Sequence, residues 1–221
     1  MSEKLRIILT GATGMVGEGV LIECLKNPLV ECVLLVNRKP CLFKHPKLKE
    51  ITHQDFFNLS PIENELTGYN TCLFCLGVSS VGMNEDDYTK VTYTLTMNFA
   101  RTVSRLNPNM SFSYISGTGT DSSEKGRIMW ARVKGKTEND LMKLPFKAAY
   151  AFRPGMLKPT EGQKNTLKYY KYLGWLYPVL KLIAPNTASS LQELGLAMIN
   201  ASANGSEKKI LEVKDIIQLA K

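Results

Sequence analysis

The chain of 221 residues holds 28 Lys and Arg against 20 Asp and Glu, a formal net charge of +8, with 44% hydrophobic and 22% charged residues. That balance excludes a disordered or fibrous chain and suffices for one domain, residues 1–221, with a sizeable core. No run reaches the length of a membrane-spanning helix, and the lysines are spread rather than clustered, so neither a transmembrane segment nor a nucleic-acid partner is expected.

The first apolar strand begins within a few residues of Met1, with no secretory h-region or cleavage site ahead of it. The five cysteines, Cys24, Cys32, Cys41, Cys72 and Cys75, are odd in number and crowd the first third of the chain, unlike a disulfide framework. Together these features predict a reducing, cytoplasmic compartment. Cys72 and Cys75 lie three apart on a strand, facing opposite ways, and no metal site is expected. His45 and His53, the two histidines, read as solvated or locally bonded.

The chain is organised around residues 7–17, Ile-Ile-Leu-Thr-Gly-Ala-Thr-Gly-Met-Val-Gly. An apolar strand runs into G-x-x-G-x-x-G, and Val16, Val20, Leu21, Cys24 and Leu25 then recur at helical spacing. Strand, glycines and helix in that order suit a dinucleotide pyrophosphate. Gly11 allows the tight turn. Gly14 lets backbone N–H groups of Thr13, Met15 and Val16 approach the phosphates at the positive helix end, and Gly17 lets helix and sheet pack closely.

A second buried strand, residues 32–36, ends in Asn37-Arg38-Lys39, at the distance from the glycines expected of the residue facing the adenosine ribose. An acid there selects NAD. Arg38 and Lys39 suit a 2′-phosphate, and NADP(H) is expected over NAD(H). A weak strand over 48–52 leads to Asp55, which either meets the adenine amino group or is a turn residue. Ser60 and Pro61 read as a helix cap and first turn. The strand 72–76 ends in Gly77, which would let backbone approach the cofactor. Asn84 caps a long helix with Tyr88, Val91, Leu95, Phe99, Val103 and Leu106 as its core stripe. A fifth strand, 111–116, opens into Ser116-Gly117-Thr118-Gly119-Thr120 at the edge where open α/β sheets build their sites. A helix over about 128–144 places Lys134 one turn after Trp130. A sixth strand, 147–152, precedes Arg153-Pro154-Gly155.

Beyond this the character changes. Residues 164–184 are rich in Lys, Tyr and Leu and read as a core or lid helix within a small C-terminal insertion at 160–186, with peripheral membrane or partner contact as the minority reading. Residues 187–203 read as a helix with Leu191, Leu194, Ala197 and Met198 inward, 209–213 as a short strand and 216–220 as a last helical turn. The whole predicts an α/β, Rossmann-like, doubly wound parallel sheet with helices on both faces.

Residues 10–17, Cys75-Leu76-Gly77, Val133-Lys134-Gly135-Lys136-Thr137-Glu138 and Phe152-Arg153-Pro154-Gly155 resemble the short-chain dehydrogenase/reductase superfamily, in particular its short atypical NAD(P)-binding branch, over roughly residues 5–160. The resemblance implies an oxidoreductase acting on a small carbonyl or alcohol, often a homodimer. It also implies a hydroxyl at the end of the fifth strand that polarises the substrate oxygen, here Ser116 or Thr118. Lys134 matches the lysine that holds the nicotinamide ribose. The tyrosine of the family's Y-x-x-x-K is Trp130, whose indole cannot give up a proton near neutral pH. An NADPH-responsive regulatory protein with little turnover is therefore the alternative. A sugar-nucleotide epimerase fits less well, because the stretch after Gly155 is short for a nucleotide-sugar lobe.

Overall fold

The computed structural model describes residues 3–41, 43–166, 177, 183, 184 and 186–221. Its strands are β1 (Leu5–Thr10), β2 (Val30–Asn37), β3 (Leu48–Thr52), β4 (Thr71–Phe74), β5 (Ser111–Ile115), β6 (Ala148–Arg153), β7 (Met156–Lys158), β8 (Ala188–Ser190) and β9 (Ile210–Glu212). Seven of them form one sheet in the order β3-β2-β1-β4-β5-β6-β9, every neighbour pair parallel, while β7 and β8 pair separately. Parallel neighbours need crossovers, and the crossovers cover both faces. On one face lie α1 (Met15–Lys26), α5 (Leu191–Asn204) and α6 (Val213–Leu219). On the other lie a 3₁₀ helix (Ser60–Leu66), α3 (Leu95–Leu106) and α4 (Met129–Leu141). A short α2 (Glu85–Thr89) runs through a π turn, Lys90–Thr94, into α3.

The twofold alternation of β1 builds the two cores. Ile7 and Leu9 join Val20, Leu21, Leu194 and Met198 on the first face, and Ile8 joins Phe56, Phe74, Phe99 and Phe112 on the second. Cys72 and Cys75 divide the same way, one in each core, and Cys24, Cys32, Cys72 and Cys75 are free thiols. Burial raises the thiol pKa of Cys24, Cys72 and Cys75, so these behave as small apolar side chains. α1 and α5 press together through small residues: a β-carbon on Gly19 would lie 2.8 Å from Leu191, and one on Gly195 would lie 2.9 Å from Glu23.

Several boundaries differ from the sequence reading. Ser60 is the first residue of its helix rather than the cap, and its side chain caps nothing. The predicted helix over 187–203 opens with a strand, β8. Ser190 then caps α5 through a reciprocal box with Glu193, which explains the late start. The long helix after Asn84 is capped as expected, the Asn84 Oδ1 accepting the Asp87 N–H at 2.9 Å, but the π turn interrupts its stripe. Most of the predicted 160–186 insertion and of the 164–184 helix lies outside the described residues. Among the described residues no helix is long and apolar enough to cross a membrane.

Candidate functional site

Two groups of predicted residues gather at the C-terminal edge of the sheet. The first lines a cleft of about 690 Å³, whose walls include Gly11, Thr13, Arg38 and Lys39 together with Glu18, Asn37, Phe43, Gln54, Leu76 and Lys164. The glycine loop forms its floor. Gly11 sits at φ 75°, where a side chain is disfavoured, and a β-carbon there would lie 2.7 Å from the Cys75 carbonyl oxygen. A β-carbon on Gly17 would lie 2.1 Å from the Gly11 carbonyl oxygen, so close packing of helix on loop requires that glycine.

Gly14 differs from both. Its backbone is extended (φ −103°, ψ 165°) and a β-carbon would meet only the Gly11 oxygen, at 3.4 Å. Gly14 occupies the N-cap of α1 without any side-chain cap, and the first-turn N–H groups of a helix have no intrahelical acceptor. Gly77, exposed just past β4, has nothing within 4 Å of a built β-carbon. The protein's own packing thus accounts for Gly11 and Gly17 and leaves Gly14 and Gly77 free of side chains for another reason.

At the end of β2, Asn37 is buried and committed. Its Oδ1 accepts the Ala12 N–H at 3.2 Å and its Nδ2 donates to Glu50 at 3.0 Å. Glu50 also accepts the Cys41 N–H at 2.6 Å, which ties the loop after β2 back onto β3. Arg38 and Lys39 are exposed on the cleft wall, and Gln54 holds the Arg38 carbonyl with a 2.6 Å hydrogen bond. Asp55 is not on that wall. It is exposed, and its Oδ1 accepts the Phe57 N–H at 2.9 Å, the bond a turn residue makes. The neighbouring Gln54, which sequence reasoning passed over, takes the place on the wall. Met15 and Val16 are half-buried against the first core.

The second group surrounds the end of β5. Ser116 is buried and its hydroxyl donates to the Glu138 carboxylate, with the Phe152 carbonyl 3.2 Å away. Thr118 is exposed, its Oγ1 donating to the Arg153 carbonyl at 3.2 Å. Trp130 is half-buried in the first turn of α4, and its ring would lie 3.6 Å from a β-carbon on Gly119. One turn on, Lys134 donates from Nζ to the Ser116 carbonyl at 2.5 Å. Burial pulls the Lys134 pKa down to about 8, against a smaller upward pull from Glu138.

Sequence reasoning missed what holds this group in place. Glu138, fully buried, takes a forked contact from Arg153, Nη2 at 2.5 Å and Nε at 3.0 Å, and its hydrogen bond raises the arginine's pKa. Arg153 also reaches Ser122 at 2.6 Å and Glu212 at 3.1 Å. Arg153, through two ion pairs and a hydrogen bond, thereby joins α4, β6, β9 and the loop after β5. Removing one partner of a buried pair strands the other, so Glu138→Ala is expected to destabilise the fold by about 3–5 kcal/mol. An unfolding free energy from urea titration that falls by less than about 1 kcal/mol would show that Glu212 and Ser122 satisfy Arg153 without Glu138.

The seven-stranded parallel sheet with helices on both faces defines a Rossmann-like α/β fold, with the cleft at its C-terminal edge. No family model matches the chain. It is similar to Protein HTATIP2 of Rattus norvegicus, 24% identical over 230 residues that span 97% of this chain and 89% of that protein. It is also similar to Protein FMP52, mitochondrial, of Candida albicans, 24% identical over 227 residues and 96% of each chain.

Among solved structures, Helicobacter pylori ADP-L-glycero-D-manno-heptose-6-epimerase superposes with a TM-score of 0.68 at 14% identity, covering 99% of this chain and 81% of that one. The Bordetella bronchiseptica enzyme WbmF, in complex with NAD+, superposes with a TM-score of 0.68 at 13% identity, covering 99% and 77%. The likeness to these proteins and to this fold extends along nearly the whole chain, beyond residues 5–160. The expected cytoplasmic location is overturned: the relatives from Candida, Scheffersomyces and Aspergillus are named as mitochondrial proteins. Free cysteines separate reducing from oxidising compartments and carry no information about which reducing compartment holds the protein.

Proposed function

We propose that the chain is an NAD(P)-dependent oxidoreductase that prefers NADP(H), acts on a small carbonyl or alcohol, and resides in mitochondria as its fungal relatives' names state of them. The observation that carries this reading is Gly14. It is a glycine that internal packing does not require, at an uncapped helix N-terminus, directly after Thr13 of the cleft lining. A bare, positive helix end suits a pyrophosphate, and a β-carbon there would occupy the phosphate's space. The bound nicotinamide would supply or accept the hydride.

The roles follow from position. Gly11, Thr13, Gly14, Met15, Val16 and Gly17 hold the pyrophosphate, and Arg38 and Lys39 take the 2′-phosphate. Gln54 is a positioning residue, fixing the backbone from which Arg38 projects. On the substrate side, Lys134 serves the nicotinamide ribose, and Trp130 stands in the place of the family's tyrosine. Ser116 or Thr118 supplies the polarising hydroxyl; in the free protein Ser116 donates to Glu138 and Thr118 to the Arg153 carbonyl, so either must turn from its internal partner to meet a substrate oxygen. The longer-range support is the similarity to HTATIP2 and the NAD+ named with WbmF.

Calorimetric titration tests the cofactor. NADPH is expected to bind more tightly than NADH, and Arg38→Asp to weaken NADPH by about 2–4 kcal/mol, since it removes a charge-assisted contact and adds repulsion. Equal affinities in the unmodified protein would refute the preference.

A further inference from the structure

Glu18 is an odd residue for a phosphate-binding helix. It stands in the first turn of α1, fully buried, and it lines the same cleft as Gly11 and Thr13. A carboxylate there opposes an anionic ligand unless its charge is taken up by donors. The structure supplies the donors from far along the chain. The Lys164 N–H donates to Oε1 at 2.8 Å and the Asn165 N–H to Oε2 at 2.6 Å, across sequence separations of 146 and 147 residues.

A second tie fixes the same stretch. The Gln163 side chain donates to the Met15 carbonyl, and its Oε1 accepts the Thr160 N–H at 3.1 Å. Residues 160–165 are thus strapped to the first turn of α1 at two points. Both Lys164 and Asn165 line the cleft, and the Lys164 side chain is exposed there.

We propose that Lys164 is a pyrophosphate ligand, delivered to the dinucleotide site by the strap, and that Glu18 is the residue that positions it. This rests on the dinucleotide reading above. Glu18 spends its charge on two backbone N–H groups. The lysine that those bonds place beside the helix N-terminus adds a positive charge that the glycine loop lacks. The assignment to the pyrophosphate rather than the 2′-phosphate follows from where the strap is tied, at Met15 and Glu18 and not at Arg38.

Calorimetry on the full chain with NADPH and with NADH tests it, beside Gly14→Val as the control for the site itself. Lys164→Ala is expected to weaken both dinucleotides by the same factor, about tenfold, leaving their ratio unchanged. Glu18→Gln gives a test of sign. If Glu18 acted only as a negative charge beside the phosphates, the amide would tighten binding; a positioning residue predicts weaker binding of both. Lys164→Ala added to Glu18→Gln should then cost little more, because the two changes break one arrangement.

Unchanged affinity in Lys164→Ala, loss confined to NADPH, or tighter binding in Glu18→Gln would each overturn the proposal while leaving the dinucleotide site standing. An unmodified chain that binds neither dinucleotide, or a folded Gly14→Val protein with full affinity, would overturn the reading on which it rests, and the proposal with it.

Discussion

Gly14→Val is expected to leave the chain folded and to abolish dinucleotide binding. The two halves of that result have separate causes. Gly14 already has extended backbone angles that valine adopts readily, and a β-carbon there meets one atom, at 3.4 Å, which is ordinary contact. The fold therefore loses almost nothing. The branched side chain instead fills the space over the bare end of α1 where a pyrophosphate must come within hydrogen-bonding distance of the backbone. Circular dichroism and a thermal melt should match the unmodified protein, while calorimetry with NADPH shows no binding. The same substitution at Gly17 should behave in the opposite way and unfold the loop, since its β-carbon would lie 2.1 Å from the Gly11 oxygen. Retained affinity in a folded Gly14→Val protein would put the phosphate site elsewhere.

Trp130→Tyr is the second large effect expected. The native protein should bind NADPH with quenching of Trp fluorescence and turn over generic carbonyl substrates slowly, because indole has no proton to exchange near neutral pH. Tyrosine restores Y-x-x-x-K at the start of α4, one turn before Lys134. The lysine is half-buried and its pKa is pulled down to about 8 by burial; in its charged form it lowers the pKa of a phenol beside it. A positioned acid–base group is worth roughly 10²–10⁴-fold, and NADPH oxidation followed by absorbance should rise by that factor. The gain should disappear when the polarising hydroxyl is removed, so adding Ser116→Ala or Thr118→Ala in turn identifies which of the two it is. Unchanged turnover in a Trp130→Tyr protein that still binds NADPH would show that the ring does not face the reacting centre.

Much of this architecture was legible. The apolar runs that became β1 and β2 are rich in branched residues and read as buried strands, and the glycine spacing fixed the turn into α1. The inward stripe of α5 was read residue by residue: Leu191, Leu194, Ala197 and Met198 are all fully buried. What escaped was either too short or too distant. β7 and β8 have three residues each, fewer than an alternation needs to declare itself. The π turn at Lys90–Thr94 leaves the apolar stripe intact on both sides and so has no periodic signature.

Glu138 and Glu18 sit on helices, where a glutamate ordinarily reads as a solvated face. Their partners, Arg153 and the N–H groups of Lys164 and Asn165, come together only when the chain has closed. Ser116 is the same case at the site itself. Its place at the end of β5 was visible, but the direction of its hydroxyl is set by the acid on α4.

The glycine loop also says how such a site would be lost over generations. Gly11 and Gly17 are held by folding: any chain that keeps this strand, turn and helix must keep them, whether or not it binds a nucleotide. Packing places no such demand on Gly14, and on the dinucleotide reading proposed above a ligand alone would hold it. In a descendant released from its cofactor, the first and third glycines would persist under selection for a folded protein while the middle one drifted at the neutral rate. An intact outer pair around a substituted centre is therefore the fossil of a Rossmann site, and the glycine at position 14 is the residue by which continued use of a dinucleotide can be followed through a lineage.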